Sequence, residues 1–316
     1  MRNLVALVAL LLSGVSAFAG SKPISTVKVP CNSYYQVLSP DGSQLAWRCK
    51  DRTVHVLNVK DQKELRVIPA APGVNSLAYS SDGQWLALGF YNGNVEVASS
   101  KSLEPTHRWK ASARRIDLLY FFPDGKTVIV GPTDADGQVW DLSGVPKLAA
   151  TLPFEFGGMN ACALSPDGKL LVVAGDDTVL RWYDTKTWKQ TLENRNFLLE
   201  TFALAFTADG KQVLAGGADA RITVLDALAA KTLRQLPAEK GSYIVQLELF
   251  GAGPSAATVY LDDAGGKPPH GRVWDLATER SVALGSDKFP TCGAVVGDKL
   301  WLCNADGNTL TIAQYE

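Results

Sequence analysis

The chain has 316 residues, 46% apolar and 20% charged, with a formal net charge of −1, which excludes intrinsic disorder and collagen-like repeats and fits an ordinary globular protein. A chain of this size buries on the order of 75% of its unfolded surface, so its core needs no staple. Near-neutral charge, with no run of five or more Lys and Arg, offers phosphate polymers and anionic lipid no footprint, and nucleic acid is not an expected partner.

At the N-terminus Arg2 is followed by an apolar run, Leu4 to Leu12, and then by small residues ending Ala17-Phe18-Ala19. Small side chains at the −3 and −1 positions of a cleavage point make 1–19 a signal peptide, cut after Ala19. The nine apolar residues fall short of the ~20 that a membrane-spanning helix needs. The mature chain, 20–316, is expected to be one domain with no integral membrane segment, free in the periplasm or outside the cell.

The first predicted strand, Ile24 to Val29, follows the cleavage point, and from there the chain repeats itself. Ser39-Pro40-Asp41-Gly42, Ser80-Ser81-Asp82-Gly83, Phe122-Pro123-Asp124-Gly125, Ser165-Pro166-Asp167-Gly168 and Thr207-Ala208-Asp209-Gly210 are versions of one turn, with glycines 41, 42, 43 and 42 residues apart. Pro presets φ, Asp caps the turn and Gly accepts positive φ, so each is a hairpin tip. β-type runs precede the tips (Tyr35 to Leu38, Ser76 to Tyr79, Asp117 to Phe121, Ala161 to Leu164, Phe202 to Phe206) and follow them (Gln44 to Trp47, Trp85 to Gly89, Thr127 to Gly131, Leu170 to Ala174, Gln212 to Gly216). A third strand comes next in each unit (Val54 to Leu57, Val95 to Ala98, Gln138 to Trp140, Val179 to Tyr183, Ile222 to Leu225), then a more polar fourth (Glu64 to Ile68, Thr106 to Trp109, Lys147 to Leu152, Lys189 to Leu192, Thr232 to Leu236).

Residues 243–284 form a weaker sixth unit with a first strand, a third ending Val273-Trp274-Asp275 and a fourth around Ser281 to Leu284; Gly251-Ala252-Gly253-Pro254 replaces its turn. Residues 291–314 hold three strands, and Ile24 to Val29 supplies the missing fourth. Four strands per ~42 residues is a propeller blade. The expected fold is all-β: a seven-bladed β-propeller of four-stranded antiparallel blades, closed by the N-terminal strand joining the last blade, which removes open sheet edges.

Five cysteines, Cys31, Cys49, Cys162, Cys292 and Cys303, leave at least one thiol unpaired or shared between chains in an oxidising compartment. Across a two-residue turn at Gly297-Asp298, Cys292 and Cys303 stand opposite each other and are the candidate disulfide. The same counting puts them in a hydrogen-bonded register, where β-carbons sit farther apart than a disulfide prefers. Cys31 and Cys49 flank the first hairpin off-register, and Cys162 reads as a small buried hydrophobe.

The third strands end Val139-Trp140-Asp141, Val273-Trp274-Asp275, Trp182-Tyr183-Asp184 and Val224-Leu225-Asp226, and the turns between second and third strands carry Asp51, Asn92, Asp177, Asp219 and Asp306. In these dipeptides and turn residues the chain resembles the WD40-like β-propeller family over nearly its whole mature length. The Gly-His pair that opens classical repeats is absent, since the histidines are His55, His107 and His270. That departure removes the family's His-centred network and points to the divergent bacterial WD40-like or Pro-Asp repeat branch.

The resemblance implies that the second-to-third-strand turns and the inter-blade loops gather on one face. The candidate partner-binding residues there are Tyr34, Arg52, Tyr91, Arg114, Arg115, Phe154, Phe156, Arg195, Phe197, Arg221, Tyr243 and Phe289, because aromatics and Arg dominate interface hot spots. Asp in these turns is first of all a turn former. Asp176-Asp177, Asp262-Asp263 and Asp134-Ala135-Asp136 offer hard oxygens, but none has an EF-hand spacing, and no metal, cofactor or catalytic residue is assigned. No Gly-x-Ser-x-Gly elbow or phosphate-cradling glycine loop occurs. The expected function is a non-enzymatic scaffold for a protein or peptide partner. The alternative is a propeller enzyme of the lactonase or quinoprotein kind, holding a metal or small molecule at the channel mouth through carboxylates such as Asp117 and Glu200.

Overall fold

The computed structural model describes residues 22–28, 33–49, 51–69, 72–236, 242–249, 256–263, 270–283, 290–296, 299–306 and 309–315, with the backbone alone at some positions near both ends, and among the described residues there is no helix. After β1 (Lys22–Lys28) come six units of four antiparallel strands in consecutive order. Unit 1 is β2 (Ser33–Leu38), β3 (Gln44–Cys49), β4 (Val54–Asn58) and β5 (Glu64–Ile68). Unit 2 is β6 (Val74–Tyr79), β7 (Trp85–Phe90), β8 (Asn94–Ser99) and β9 (Pro105–Lys110). Unit 3 is β10 (Ile116–Phe121), β11 (Thr127–Pro132), β12 (Gly137–Asp141) and β13 (Lys147–Leu152). Unit 4 is β14 (Met159–Leu164), β15 (Leu170–Gly175), β16 (Leu180–Asp184) and β17 (Gln190–Asn194). Unit 5 is β18 (Thr201–Phe206), β19 (Gln212–Gly217), β20 (Ile222–Asp226) and β21 (Thr232–Leu236).

Unit 6 is β22 (Ser242–Leu249), β23 (Ala256–Asp263), β24 (His270–Asp275) and β25 (Arg280–Ala283). Its second strand, β23, is absent from the sequence reading, which had no Asp-Gly tip there to mark it. The last sheet runs β1, β28 (Thr309–Tyr315), β27 (Lys299–Asp306), β26 (Pro290–Val296), so the N-terminal strand pairs with the C-terminal one.

The tips close as their chemistry dictates. The hydroxyls of Ser39, Ser80, Ser165 and Thr207 donate to the Asp two residues on at 2.6–2.7 Å, and accept from the backbone N–H five residues on at 2.9–3.0 Å. Gly42, Gly83, Gly168 and Gly210 hold φ between 69° and 72°, where a side chain is penalised. Unit 3 has Phe122 in place of the hydroxyl, and Thr127 donates to Asp124 instead, through its N–H and its Oγ1.

The inner strand of every unit slips register once, near its start. The residue left over by this β-bulge is Tyr34, Asn75, Asp117, Asn160, Phe202, Val245 and Thr291 in turn. A bulge breaks the in–out alternation and re-aims the extra side chain, which is why the strands read as starting at Tyr35, Ser76 and Ala161 begin two residues earlier. β2 packs on β6, β6 on β10, β10 on β14, β14 on β18, β18 on β22, β22 on β26, and β26 on β2.

The core lies between units. Leu88, Val56 and Leu77 belong to the cluster joining units 1 and 2, and Trp182, Val213 and Leu225 to the one joining units 4 and 5. Close approach of neighbours demands small residues in the second strands: a Cβ on Gly89 would meet the Ile116 side chain at 2.7 Å, and one on Gly216 the Ile244 side chain at 2.5 Å.

Cys292 and Cys303 face each other in register on β26 and β27, while their side chains lie outside the described residues. Cys49 is disulfide-bonded, to a partner outside the described residues. Cys162 is free and half-buried, packing against the core between units 3 and 4 and also bordering the central channel. The proposed signal peptide also falls outside the described residues. Among those described, no helix is long and apolar enough to cross a membrane.

Candidate functional site on the loop face

Between second and third strands the chain turns on an Asx side chain. Asp51, Asn92, Asp177 and Asp219 accept from the N–H of Thr53, Asn94, Val179 and Arg221. The residue between, Arg52, Gly93, Thr178 or Ala220, holds φ between 57° and 82°. These turns bond to the inter-unit loops: Ala111 and Ser112 donate to the Gly93 carbonyl, Thr133 to that of Arg115, Asp176 to that of Gly158, and Ala218 to that of Glu200. Both loop sets therefore share one face.

On that face units 1 to 3 build a cationic cluster around one aromatic ring. The guanidinium of Arg52 lies 4.3 Å from the Tyr91 ring centroid and that of Arg115 5.7 Å, within cation–π range. Arg48 Nη1 donates to Asn75 Oδ1 at 2.8 Å and stands 3.5 Å from the Tyr91 hydroxyl. Asn75 Nδ2 donates to Asp117 Oδ1 at 2.8 Å, and Asp117 also takes Arg115 Nε at 2.5 Å and Thr133 Oγ1 at 2.6 Å. The hydrogen bond to Asp117 raises the Arg115 pKa further above its ordinary value. Arg114 adds a loose pair with Asp134, 3.6 Å away. Arg52, Arg114 and Arg115 are exposed and Tyr91 half-buried.

Gly93 seats this loop, since a Cβ there would lie 2.1 Å from the Ser112 carbonyl oxygen and 2.4 Å from that of Arg114. The polar side chains Asn75 and Asp117 reach the cluster from bulge positions. Arg48 is a residue that sequence reading missed. It pairs with Tyr35 where Ser76, Leu118, Ala161 and Ala203 face Gly89, Gly131, Ala174 and Gly216. An Arg in a slot that four other units keep small is the signal that could have found it.

Units 4 to 6 carry a more apolar zone. Arg195 pairs with Glu155 and Glu193 at 2.7 Å each, joining two inter-unit loops. Those loops expose Phe156 at 61% and Leu198 at 91%, with Leu199, Tyr243 and Val245 also open to solvent. Leu198, unmarked in the sequence, is more exposed than its neighbour Phe197, which packs against the core between units 4 and 5. Phe154 is likewise structural: it packs on the core between units 3 and 4, and Arg181 stacks 5.3 Å from its ring centroid. Arg221 is exposed and donates to Gln235 Oε1 at 3.2 Å. The side chain of Tyr34, and all of Phe289, lie outside the described residues.

Asp176 and Asp177 already have partners, whereas the side chains of Asp262 and Asp263 lie outside the described residues. Asp177 takes both Arg181 nitrogens at 2.6 and 3.1 Å and the Glu155 N–H at 2.9 Å, with the pair nearly inaccessible. Burial pushes its carboxyl up, but these bonds outweigh burial and hold it below the ordinary range. Asp176 accepts from Gly158 N at 2.8 Å and Asn160 Nδ2 at 2.9 Å. Among the described residues no three His, Cys, Asp or Glu side chains converge to hold a metal ion.

Behind the face the inner strands enclose a channel of about 710 Å³ whose wall includes Asp117, Cys162 and Glu248 but not Glu200. Glu248, enclosed there and bonded to Gln246 at 3.1 Å, has its carboxyl pushed up to about 7 by burial. Burial likewise pushes the Cys162 thiol up to about 12.

Repeated four-stranded antiparallel sheets, Asx-capped turns and a loop face of Arg and aromatic groups define a propeller-like repeat platform. Two segments, residues 62–97 and 147–184, match the family model "WD domain, G-beta repeat", so the chain carries WD40-like repeats. Relatives include the 66 kDa stress protein of Physarum polycephalum, 27% identical over 58% of this chain and 30% of its own length. An uncharacterized WD repeat-containing protein of Synechocystis sp. is 28% identical over 43% of this chain and 39% of its own. Eukaryotic translation initiation factor 3 subunit I of Drosophila yakuba is 28% identical over 36% of each chain. The chain thus spans 30 to 39% of the length of these relatives. A chain in "Crystal Structure of Mitotic Checkpoint Complex" superposes with a TM-score of 0.79 at 18% identity, covering 94% of this chain and 93% of that one, a likeness of fold alone.

Proposed function

We propose that this protein is an exported, non-enzymatic interaction scaffold: a seven-bladed propeller, closed by β1, that offers its loop face to a protein or peptide partner carrying acidic and apolar side chains. The single observation that carries the reading is the exposed Arg52 and Arg115 gathered around Tyr91 by bonds from three units, with exposed Arg114 next to Arg115 in the same loop. Aromatic and Arg groups held rigid in this way are what protein interfaces use as anchors. Initiation factor 3 subunit I is by its name one subunit of a larger assembly, which supports a binding role for the repeat. The seven four-stranded sheets and the β1–β28 pairing support the closed ring, and the signal-peptide pattern of 1–19 supports export to the periplasm or beyond.

The test is a pull-down from the envelope fraction with the purified protein, beside a variant carrying Arg52, Arg114 and Arg115 changed to Ala. The reading expects a specific partner that the variant loses while keeping its circular dichroism and melting temperature. An identical set of captured proteins in both forms overturns the assignment of the face. N-terminal sequencing of the native protein, expected to start at Gly20, tests export.

A further inference from the structure

A second cavity, of about 560 Å³, opens between units 1 and 2 among their outer strands. This is the size range of small-molecule sites. Ile68, Pro72 and Phe90 form its apolar wall, and Arg66 on β5 and Glu96 on β8 face into it from opposite units.

Three buried atoms here lack partners, the indole Nε1 of Trp109 and two on charged groups. Glu96 is 8% exposed; its Oε2 takes Arg108 Nε at 2.7 Å, but its buried Oε1 has no hydrogen-bond partner. Arg66 Nη1 is buried and also has none. A desolvated charged group without a partner is costly and rare in native structures. Arg234 shows what an Arg at this place does otherwise. It holds the same register on β21 (Val224↔Arg234) that Arg66 holds on β5 (Val56↔Arg66), and its Nη2 donates to the Leu276 carbonyl of the next unit at 2.9 Å. In unit 2 the carbonyl in that position is that of Ser100, and Gln44 Nε2 occupies it at 2.9 Å. Arg66 is thereby left facing the cavity.

We propose that this cleft binds a small amino carboxylate. The ammonium group donates to Glu96 Oε1, the carboxylate accepts from Arg66 Nη1, and an apolar side chain rests on Ile68, Pro72 and Phe90. The two unmet demands of charged groups are opposite in sign, so one zwitterion satisfies both, whereas a simple amine or a simple acid leaves one of these charged groups unpaired. Because Arg108 already balances Glu96, the lining keeps two cations without a carboxylate, Arg66 and Lys110, which makes the carboxylate the stronger anchor.

The test is isothermal titration calorimetry of the purified protein with L-phenylalanine, 3-phenylpropanoate and 2-phenylethylamine, the last two lacking in turn the amine and the carboxylate. The expected result is saturable binding of L-phenylalanine, at least tenfold weaker binding of both trimmed probes, and at least tenfold loss in Arg66→Met and in Glu96→Gln. Arg66→Met is the deciding variant, because Nη1 has no hydrogen bond to lose and the fold should survive the change. No saturable binding of L-phenylalanine, glycine, L-leucine or L-glutamate overturns the proposal. Equal binding of the three phenyl probes, or binding unchanged in Arg66→Met, overturns it as well.

Discussion

Arg52 holds φ at 70°, the place where unit 2 uses Gly93, and lays its guanidinium over Tyr91. A residue with a Cβ in the left-handed region costs ~1–2 kcal/mol, and strain of this kind is often kept for function. Arg52→Gly relieves that strain but adds ~0.5–1 kcal/mol of chain entropy and removes a cation–π contact worth ~0.5–1 kcal/mol. Urea unfolding should therefore move by less than about 1 kcal/mol, while partner affinity drops roughly tenfold, the loss of one interface anchor of ~1.4 kcal/mol. A loss of stability well above 1 kcal/mol with affinity intact would make Arg52 structural. The opposite balance holds at Asp177. Its removal leaves Arg181 buried and unpaired, so Asp177→Ala should cost ~3–5 kcal/mol in chemical unfolding with little effect on the loops of units 1 to 3. The turn role of Asp177 was legible in the sequence, since an Asx turn is made by neighbours in the chain. Its pairing with Arg181 was not, because nothing local says that both side chains are shut from water.

At the scale of the element, two titrations of opposite sign are built into the strands and their tips. The Asp167 carboxyl is pushed down to about 2, first by the Ser165 hydroxyl and then by the Lys169 N–H. A depressed folded-state pKa contributes stability above the ordinary value of 3.8 that is lost as pH falls toward 2. Glu248 on β22 is raised from 4.5 to about 7. The folded state then holds more protons than the unfolded one between these values, so stability falls as pH rises from 4.5 to about 7. Melting temperatures from pH 2 to 8 should rise on leaving strong acid and decline toward neutrality. Glu248→Gln should flatten the decline and leave the acid limb in place, whereas Asp167→Asn should soften the acid limb alone. A decline that persists in Glu248→Gln would assign it to another group. The tips were readable from composition, whereas the inner-strand bulges were not, because a bulge is a property of two strands in register and appears in one strand only as a broken alternation.

For the whole molecule, the proposed closure of the ring rests on the N-terminal strand. β1 pairs with β28 from Lys22↔Gln314 to Lys28↔Thr309, and without it β28 becomes an open edge. Deletion of residues 22–28 should lower the melting temperature by ~5 °C or more, given a few degrees per kcal/mol in a domain of this size, and should promote self-association through the bare edge. Calorimetry and sedimentation velocity measure both, and an unchanged, monodisperse variant would show that closure does not depend on β1.

The sequence by itself determined the repeat, the tip chemistry and the order of strands in the first five units. Each follows from residues within one turn or one strand alternation. Only the tertiary structure decided which side chains meet: Arg48 with Asn75 and Tyr91, 27 and 43 residues away, Arg195 with Glu155, and Arg66 and Glu96 across one cavity. These pairs come from different units, and their meeting depends on how closely neighbouring sheets pack and where each inner strand bulges. That geometry is set by side-chain volume at positions such as Gly89 and Gly216, which a single repeat read along the chain does not contain.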